Sequence, residues 1–282
     1  MLSNDEPQKE DKKEFIKKDL RKNSDIENET SENNLYISNI AKLFGLCIAA
    51  LMVVGAFFAI SNSGLISTDF IMGDESNTMI LGNESNGLVL KKGPYGNVSS
   101  DINIAYIIGV HPKEFELHDN FEKLFNKKED HLNYCYYVYK IEVDPKVENY
   151  EDGRMYGQIL AEKYVVPDII NNKFNFAVDL HYNIGSWGYA NFVFVPNNGT
   201  KNNKTKYAET IANNFVYRYD WASYFTPKGP TSPKYLTIPL NEANVPSMLY
   251  EGYAYEEEEI VINHLNDLID WLDNYPFNNT DT

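Results

Sequence analysis

The sequence has little arginine and little cysteine. Only three arginines occur in 282 residues, at Arg21, Arg154 and Arg218. The formal net charge is −16, and nucleic-acid binding needs a basic face, so we expect no nucleic-acid partner. The two cysteines, Cys47 and Cys135, lie in an apolar run and in a Tyr-rich segment. We therefore expect neither a disulfide nor a cysteine-based metal site, so any metal must be held by histidine and carboxylate side chains.

The first hundred residues differ in composition from the rest of the chain. Residues 1–42 contain 8 Lys/Arg and 10 Asp/Glu and few large apolar side chains, which predicts a disordered tail. Residues 43–60 are 18 uncharged, mostly apolar residues, enough for a helix that crosses a hydrocarbon core of about 30 Å. Residues 61–100 are rich in Ser, Asn and Gly and are interpreted as an extracellular stalk.

The charges that flank residues 43–60 predict how the chain is oriented. Lys42 adjoins this run, and the first lysine after it is Lys91. The positive-inside rule then predicts a single-pass protein of the cell membrane, with a cytoplasmic N-terminus and an extracellular C-terminal domain. A signal peptide cleaved near residues 59–61 is the alternative. Five of six N-x-Ser/Thr sequons fall on the predicted outer side, which is compatible with glycosylation.

Between residues 101 and 273, strand-like and helix-like patterns alternate. Residues 103–110 form a continuous apolar run typical of a buried strand, and residues 114–126 place their large apolar side chains on one helical face. This alternation predicts an α/β domain over residues 101–273, with a mixed, mostly parallel sheet flanked by helices. Residues 274–282 are interpreted as a flexible C-terminal tail.

Polar residues follow three of the apolar strands. The first strand is followed by His111 and Glu114, the second contains Asp179 and His181 on one face, and the third is followed by Glu251. Sites in open α/β sheets form at the carboxyl ends of the strands. We therefore expect these side chains to meet in one site.

This set of side chains suits zinc-dependent hydrolysis. Catalytic zinc commonly has three protein ligands, often two His and one Glu, and His111, Glu114 and His181 would supply them. Glu251 would act as the general base. Arg154 would bind a substrate carboxylate or the developing oxyanion, and Asp179 would orient a ligand histidine or else form an ion pair on the strand face.

The segments GVHPKE, DLHY and VPSMLYEGY, in this order, resemble the zinc carboxypeptidase superfamily. The pattern is most similar to the branch with succinylglutamate desuccinylase and aspartoacylase, and it covers residues 101–273. The resemblance implies a mixed eight-stranded sheet. It also implies that His111, Glu114 and His181 hold zinc and that Glu251 is the base.

The sequence departs from this family where the substrate carboxylate is bound. The family commonly has an Asn-Arg pair, whereas Gly153 precedes Arg154 here; Asn149 is a candidate substitute. Tyr235 is a candidate for the mobile tyrosine that the family's carboxypeptidases place before the catalytic Glu; the alternative is a packing role.

We therefore expect a membrane-anchored, outward-facing zinc hydrolase that cleaves an amide bond. Its substrate would be a peptide, with a cell-wall peptide as one source, or an acyl-amino acid. The alternatives are a catalytically inactive surface binding module and a purely structural surface protein.

Overall fold

The computed structural model describes residues 77–147, 149–199, 201–229 and 231–277. The apolar run at residues 43–60, predicted to cross the membrane, lies outside these ranges, as does the predicted tail at residues 1–42. Among the helices that are described, none has the length and apolar character needed to cross a bilayer.

Strands and helices alternate along the described chain. The strands are β1 (Thr78–Glu84), β2 (Gly87–Gly96), β3 (Asn103–Ile108), β4 (Cys135–Val143), β5 (Phe176–Asn183), β6 (Asn191–Phe194), β7 (Ala222–Tyr224) and β8 (Ser247–Tyr253). The α-helices are α1 (Phe115–Lys128), α2 (Tyr150–Leu160), α3 (Val166–Asn171), α4 (Asn203–Arg218), α5 (Thr237–Glu242) and α6 (Glu258–Asp273). Short 3₁₀ turns occur at Pro112–Glu114, Glu129–His131 and Ser232–Lys234.

The eight strands form one mixed sheet in the order β1-β2-β4-β3-β5-β8-β6-β7. The central strands β4, β3, β5 and β8 run parallel to one another, whereas β2 and β6 pair antiparallel with this central group. The predicted α/β class with a mixed sheet is confirmed. The carboxyl ends of β3, β5 and β8 therefore lie at the same edge of the sheet.

Both faces of the sheet are buried, because side chains alternate between them along each strand. On β3, Ile104, Tyr106 and Ile108 face a core that includes side chains of α1, α4 and α6. Ala105 and Ile107 face a second core that includes side chains from residues 160–169 and from α5. Helices on both faces explain why the central strands are apolar runs.

The domain begins earlier than the sequence predicted. Part of the expected stalk, residues 78–96, forms β1 and β2 and extends the sheet. β1 is an edge strand with exposed side chains such as Met79 and Ile80, so its sequence lacks the apolar run that marks a central strand. The expected flexible tail also starts too early, since Tyr275 is buried and Phe277 packs against the same core.

Pro167 does not end the helical segment that precedes it. A π turn at Ala161–Val165 follows α2, and α3 continues with Pro167 in its first turn. Proline lacks the N–H that a continuous helical ladder would use, and the π turn just before it is where the regular i→i−4 ladder is interrupted.

Two glycines allow α2 and β4 to lie close to the end of β3. A Cβ at Gly157 would lie 2.1 Å from the carbonyl oxygen of Val110, and one at Gly109 would lie 2.0 Å from that of Ile141. Gly109 also has a φ of 83°, which favours glycine. Helix α2 thereby contacts the turn that begins at His111.

Candidate metal centre

His111 and Glu114 lie in the turn between β3 and α1. The 3₁₀ turn begins with Pro112, and the Glu114 N–H donates to the His111 carbonyl oxygen at 3.1 Å. This tight turn brings the two side chains together, with His111 Nδ1 2.8 Å from Glu114 Oε1. Both residues are buried.

His181, near the carboxyl end of β5, completes the group. Its Nδ1 lies 2.8 Å from Glu114 Oε2, and the backbone N–H of Tyr182 donates to the same oxygen at 3.2 Å. The two imidazole rings have centroids 4.4 Å apart. The Glu114 carboxylate is thus held between the Nδ1 atoms of two histidines.

The donor set fits zinc. His111, Glu114 and His181 each offer one ligand atom, and these atoms lie within 4.8 Å of one another. Two imidazole nitrogens and one carboxylate oxygen are the ligands of many catalytic zinc sites, which keep a further coordination position open. The three residues that the sequence suggested as ligands therefore meet, and zinc is the metal that they suit.

The charges of the group follow from its burial and from its neighbours. Burial and the charge of His181 together lower the pKa of His111 to about 4, although Glu114 opposes the shift. Burial also acts to lower the pKa of His181, but Asp179 and Glu114 raise it well above its usual value. The pKa of Glu114 lies below its usual value because the two histidines outweigh the effect of burial. The surroundings therefore act on the two histidines in opposite directions, lowering the pKa of His111 and raising that of His181.

Asp179 stands beside His181 on the same face of β5. It is fully buried, and its Oδ2 lies 3.0 Å from His181 Nε2. The two atoms form an ion pair but are not aligned for a hydrogen bond. A carboxylate on the outer nitrogen of a ligand histidine orients the ring and increases its basicity. Asp179 has the position for this role.

Glu251 lies on β8 beside His181, since the two residues are paired in the β5–β8 register. The Glu251 Oε2 atom is buried and has no hydrogen-bond partner among the described residues. Burial, aided by the charges of Glu114 and Asp179, raises the pKa of Glu251 to about 8, while His181 opposes the rise. A carboxyl group with a pKa near neutrality is suited to general acid–base chemistry.

Arg154 reaches the group from α2. Its Nη1 lies 3.6 Å from Glu114 Oε1 and donates to the Tyr150 hydroxyl oxygen at 3.1 Å. The Arg154 side chain is 24% exposed, so part of the guanidinium remains accessible to a bound anion. Arg154 therefore lies beside the candidate metal ligands, and its part in substrate binding stays a prediction.

Asn149 and Tyr235 have other surroundings. Asn149 caps α2, with its Oδ1 accepting from the N–H groups of Glu151 at 2.9 Å and Asp152 at 3.3 Å. Tyr235 follows the 3₁₀ turn at Ser232–Lys234, and its backbone N–H donates to the Ser232 carbonyl oxygen at 3.0 Å. Their parts in substrate binding stay predictions.

Gln158 is a neighbour of the metal group that the sequence did not reveal. It is 1% exposed, and its Nε2 lies 3.2 Å from His111 Nε2 and 3.1 Å from Thr231 Oγ1. Tyr150, Arg154 and Gln158 are four residues apart along α2 and share one face. This polar stripe on one helical face is the sequence pattern that pointed toward Gln158.

No family model matches the sequence, and no curated protein matches it. Solved structures do match. A metallo-carboxypeptidase from Pseudomonas aeruginosa, in complex with (2-guanidinoethylmercapto)succinic acid, is 10% identical with a TM-score of 0.44; the match covers 70% of this chain and 64% of that one. A tripeptide-bound cell shape determinant protein from Helicobacter pylori is 12% identical with a TM-score of 0.43, covering 68% and 58%.

A succinylglutamate desuccinylase/aspartoacylase from Rhodobacter sphaeroides is 10% identical with a TM-score of 0.40, covering 66% of this chain and 57% of that one. Both groups that the sequence resembles, the carboxypeptidases and the aspartoacylase branch, are thus among the matches. This chain spans less than two thirds of the length of these structures. At such low similarity, the assignment of an activity rests on the site itself.

Proposed function

We propose that the protein is a zinc-dependent hydrolase that cleaves an amide bond. The observation that supports this best is the buried His111–Glu114–His181 group with the unpaired Oε2 of Glu251 beside it. A structural zinc site needs four protein ligands and no nearby base. Three ligands and an adjacent carboxylate are what metal-assisted hydrolysis requires.

Each residue of the site would have a separate role in amide hydrolysis. His111, Glu114 and His181 would hold zinc, which when bound acidifies water and polarises the scissile carbonyl. Glu251 Oε2 would accept the proton of the attacking water as the new C–O bond forms. It would then donate that proton to the leaving nitrogen as the C–N bond breaks. Arg154 would bind a carboxylate of the substrate or the developing oxyanion.

The proposal extends to the class of substrate and to the location of the protein in the cell. A guanidinium next to the site favours a substrate with a free carboxylate, such as a peptide C-terminus or an acyl-amino acid. The apolar run at residues 43–60 and its flanking charges support a single-pass membrane anchor with this domain outside the cell. An extracellular peptide, including one from a cell wall, would meet the site there.

The first test is the metal content of the purified full chain, measured by elemental mass spectrometry after dialysis against zinc. We expect about one zinc per chain, because one group of suitable ligands is present among the described residues. The double variant His111→Ala/His181→Ala should lose it. His131→Ala is the matched control, because His131 is exposed and distant in sequence from the ligands, and it should retain the zinc.

The second test separates metal binding from hydrolysis. Glu251→Gln should bind zinc as the wild type does and lose at least 100-fold in turnover on a panel of peptides and acyl-amino acids, since general acid–base catalysis contributes about 10²–10⁴-fold. Full activity of this variant would overturn the role of Glu251. Absence of zinc from the folded wild type would overturn the function as a whole.

An inactive binding module is the second candidate. One observation favours it. The side chain of Asn149 caps α2 and is therefore not placed beside Arg154 as a second group to bind the carboxylate of a substrate. This candidate predicts zinc binding and ligand binding without turnover of any member of the panel.

A further inference from the structure

A cavity of about 330 Å³ opens at the same edge of the sheet as the candidate metal centre. It lies between the first turns of α1 and α6, and Tyr182 on β5 and Ala254 after β8 form its other walls. Phe115 in its wall directly follows Glu114, and Tyr182 directly follows His181. Since neighbouring Cα atoms are about 3.8 Å apart, the wall of the cavity begins one residue from two of the candidate ligands.

Carboxylates predominate in the lining of this cavity, which we call the acidic cavity. Four carboxylates and one lysine line it, namely Glu116, Asp119, Glu256, Glu258 and Lys123. Glu256 pairs with His264, whose Nδ1 lies 3.2 Å from Oε2, but none of the four pairs with a lysine or arginine of the described chain. The helix dipole favours carboxylates in first helical turns, which accounts for Glu116 and Glu258. Asp119 lies beyond the first turn of α1 and has no such explanation.

The side chain of Asn120 points to a ligand independently of this charge. Asn120 lies four residues after Glu116 on the same face of α1 and lines the acidic cavity. It is 8% exposed, and its carboxamide has no hydrogen-bond partner among the described residues. Buried polar groups are nearly always hydrogen-bonded, so a group bound in the cavity would satisfy it. Rotation about the terminal torsion can present the amide oxygen to a donor.

The spacing of the carboxylates favours an organic cation over a metal ion. A metal ion such as calcium needs several oxygen atoms within about 2.6 Å of its centre. Among the described residues, three His, Cys, Asp or Glu side chains with ligand atoms within 4.8 Å of one another occur only in the candidate metal centre. An ammonium or guanidinium group has several N–H donors, and these can reach carboxylates that lie farther apart.

Phe115 provides an apolar surface for the stem of such a cation. It lines the acidic cavity and is 56% exposed. The methylene groups of lysine and arginine pack on apolar side chains while the charged end stays in polar surroundings. The face of an aromatic ring also attracts a cation. A basic side chain therefore matches both the apolar and the acidic wall of the cavity.

The acidic cavity and Arg154 approach the metal group from opposite faces of the sheet. Helices α1 and α6 pack on the face that carries Tyr106, whereas Leu160 of α2 packs on the face that carries Ala105. A peptide whose terminal carboxylate binds Arg154 has its leaving residue on that side of the scissile amide. The acidic cavity then lies on the acyl side.

We propose that the acidic cavity binds the basic side chain, a lysine ammonium or an arginine guanidinium, of the residue that precedes the scissile amide. This inference rests on the proposed function and adds a specificity to it. The substrate would combine a free carboxylate on its leaving residue with a positive charge on its acyl residue.

The affinity of the zinc-loaded Glu251→Gln full chain for peptides, measured by calorimetry, is the readout, since this variant should not consume its ligand. Acetyl-Lys-Ala should bind about tenfold more tightly than acetyl-norleucyl-Ala, which lacks the ammonium at similar length, because hydrogen bonds to charged groups are the stronger ones. Acetyl-Ala-Lys, with its cation in the leaving residue, should show no such gain. Added salt should reduce the gain, because it screens partly exposed charges.

Substitutions in the cavity, made in the same background, locate the gain. Asp119→Asn/Glu258→Gln should abolish the preference for acetyl-Lys-Ala and leave the affinity for acetyl-norleucyl-Ala unchanged. Asn120→Leu should reduce the preference about fivefold, the effect of one lost hydrogen bond. Asp101→Asn/Asp130→Asn is the matched control, because it removes the same charge from exposed positions before β3 and after α1; it should retain the preference.

Three results would overturn the inference and leave the zinc site and the role of Glu251 intact. They are equal affinities for the lysine and norleucine peptides, tighter binding of acetyl-Ala-Lys than of acetyl-Lys-Ala, and an equal loss of preference in the control variant. If Asn120→Leu does not fold, the variant with two exposed carboxylates replaced decides the question. A wild type that binds no zinc would instead refute the proposed function.

Discussion

Glu251 is a carboxyl group in a place that disfavours its charge. It is 6% exposed, and its burial, together with the nearby Glu114 and Asp179, raises its pKa to about 8 from an ordinary value near 4.5. Between these two pH values the folded metal-free protein binds more protons at this position than the unfolded chain does. The contribution to stability is therefore fully present below about pH 4.5 and is lost as the pH rises toward 8.

We accordingly expect Glu251→Gln to stabilise the metal-free protein at high pH. The glutamine cannot ionise, so the variant avoids a loss on the order of a few kcal/mol at pH 8. The melting temperature in the presence of a chelator should exceed that of the wild type at pH 8, and the excess should shrink toward pH 5. Glu116→Gln, which alters an exposed carboxylate, is the control; a constant difference across this pH range for Glu251→Gln would contradict the expectation.

At the residue scale, the sequence contained the ligands but not their surroundings. His111, Glu114 and His181 could be identified because each follows or ends an apolar strand, and parallel strands end at one edge of a sheet. Gln158 was not identified, because the polar stripe of α2 does not reveal its contact with His111, which depends on how closely α2 approaches the end of β3. That distance is a property of tertiary packing.

The distance between α2 and the end of β3 depends on one of the two glycines in α2. A Cβ at Gly157 would lie 2.1 Å from the Val110 carbonyl oxygen, whereas one at Gly153 would lie 3.7 Å from Pro112 Cγ, an ordinary contact. The helix can therefore approach the turn of His111 only if residue 157 has no side chain.

The two glycines should respond differently to the same substitution. Gly157→Ala should lower the free energy of unfolding by about 1–3 kcal/mol, as overpacking does, and weaken zinc binding because Gln158 moves away from His111. Gly153→Ala should be neutral or stabilising by up to about 1 kcal/mol, since alanine favours a helix over glycine. Chemical denaturation and chelator competition measure both effects; equal losses in the two variants would contradict this account of the packing.

The elements of the central sheet were predictable from sequence, and those at its margin were not. β3 and β5 are buried on both faces and appear as apolar runs, as does β8. β1 pairs with only one neighbour and exposes Met79 and Ile80, so its sequence is similar to that of a linker. Pro167 does not mark a helix end, because it falls in the first turn of α3.

At the scale of the whole molecule, the carboxylate of Asp273 forms hydrogen bonds that link the last helix to the sheet. Asp273, at the end of α6, is 6% exposed and accepts from the Asn133 N–H at 2.8 Å, the Tyr134 N–H at 3.3 Å and the Tyr136 hydroxyl at 2.9 Å. These donors precede or lie in β4. One side chain therefore links the C-terminal helix to a central strand.

Loss of this link should destabilise the whole domain without affecting the metal group. Asp273→Ala leaves several buried or partly buried donors unpaired, and we expect a loss of about 2–4 kcal/mol in the free energy of unfolding. Asp270→Ala, three residues earlier, removes a 47%-exposed carboxylate paired with Lys128 and should cost less than about 1 kcal/mol. Urea denaturation compares the two variants, and a Tyr136→Phe change should reproduce part of the larger effect.

The three candidate ligands are not equally free to move. His181 stands on β5, which is hydrogen-bonded to β3 on one side and to β8 on the other. His111 and Glu114 lie in a short turn between β3 and α1. A metal ion would therefore enter and leave by displacement of this turn while His181 stays fixed. The lifetime of the bound ion should then depend on how fast the turn opens, and restricting the turn should slow metal exchange in both directions without a change in equilibrium affinity.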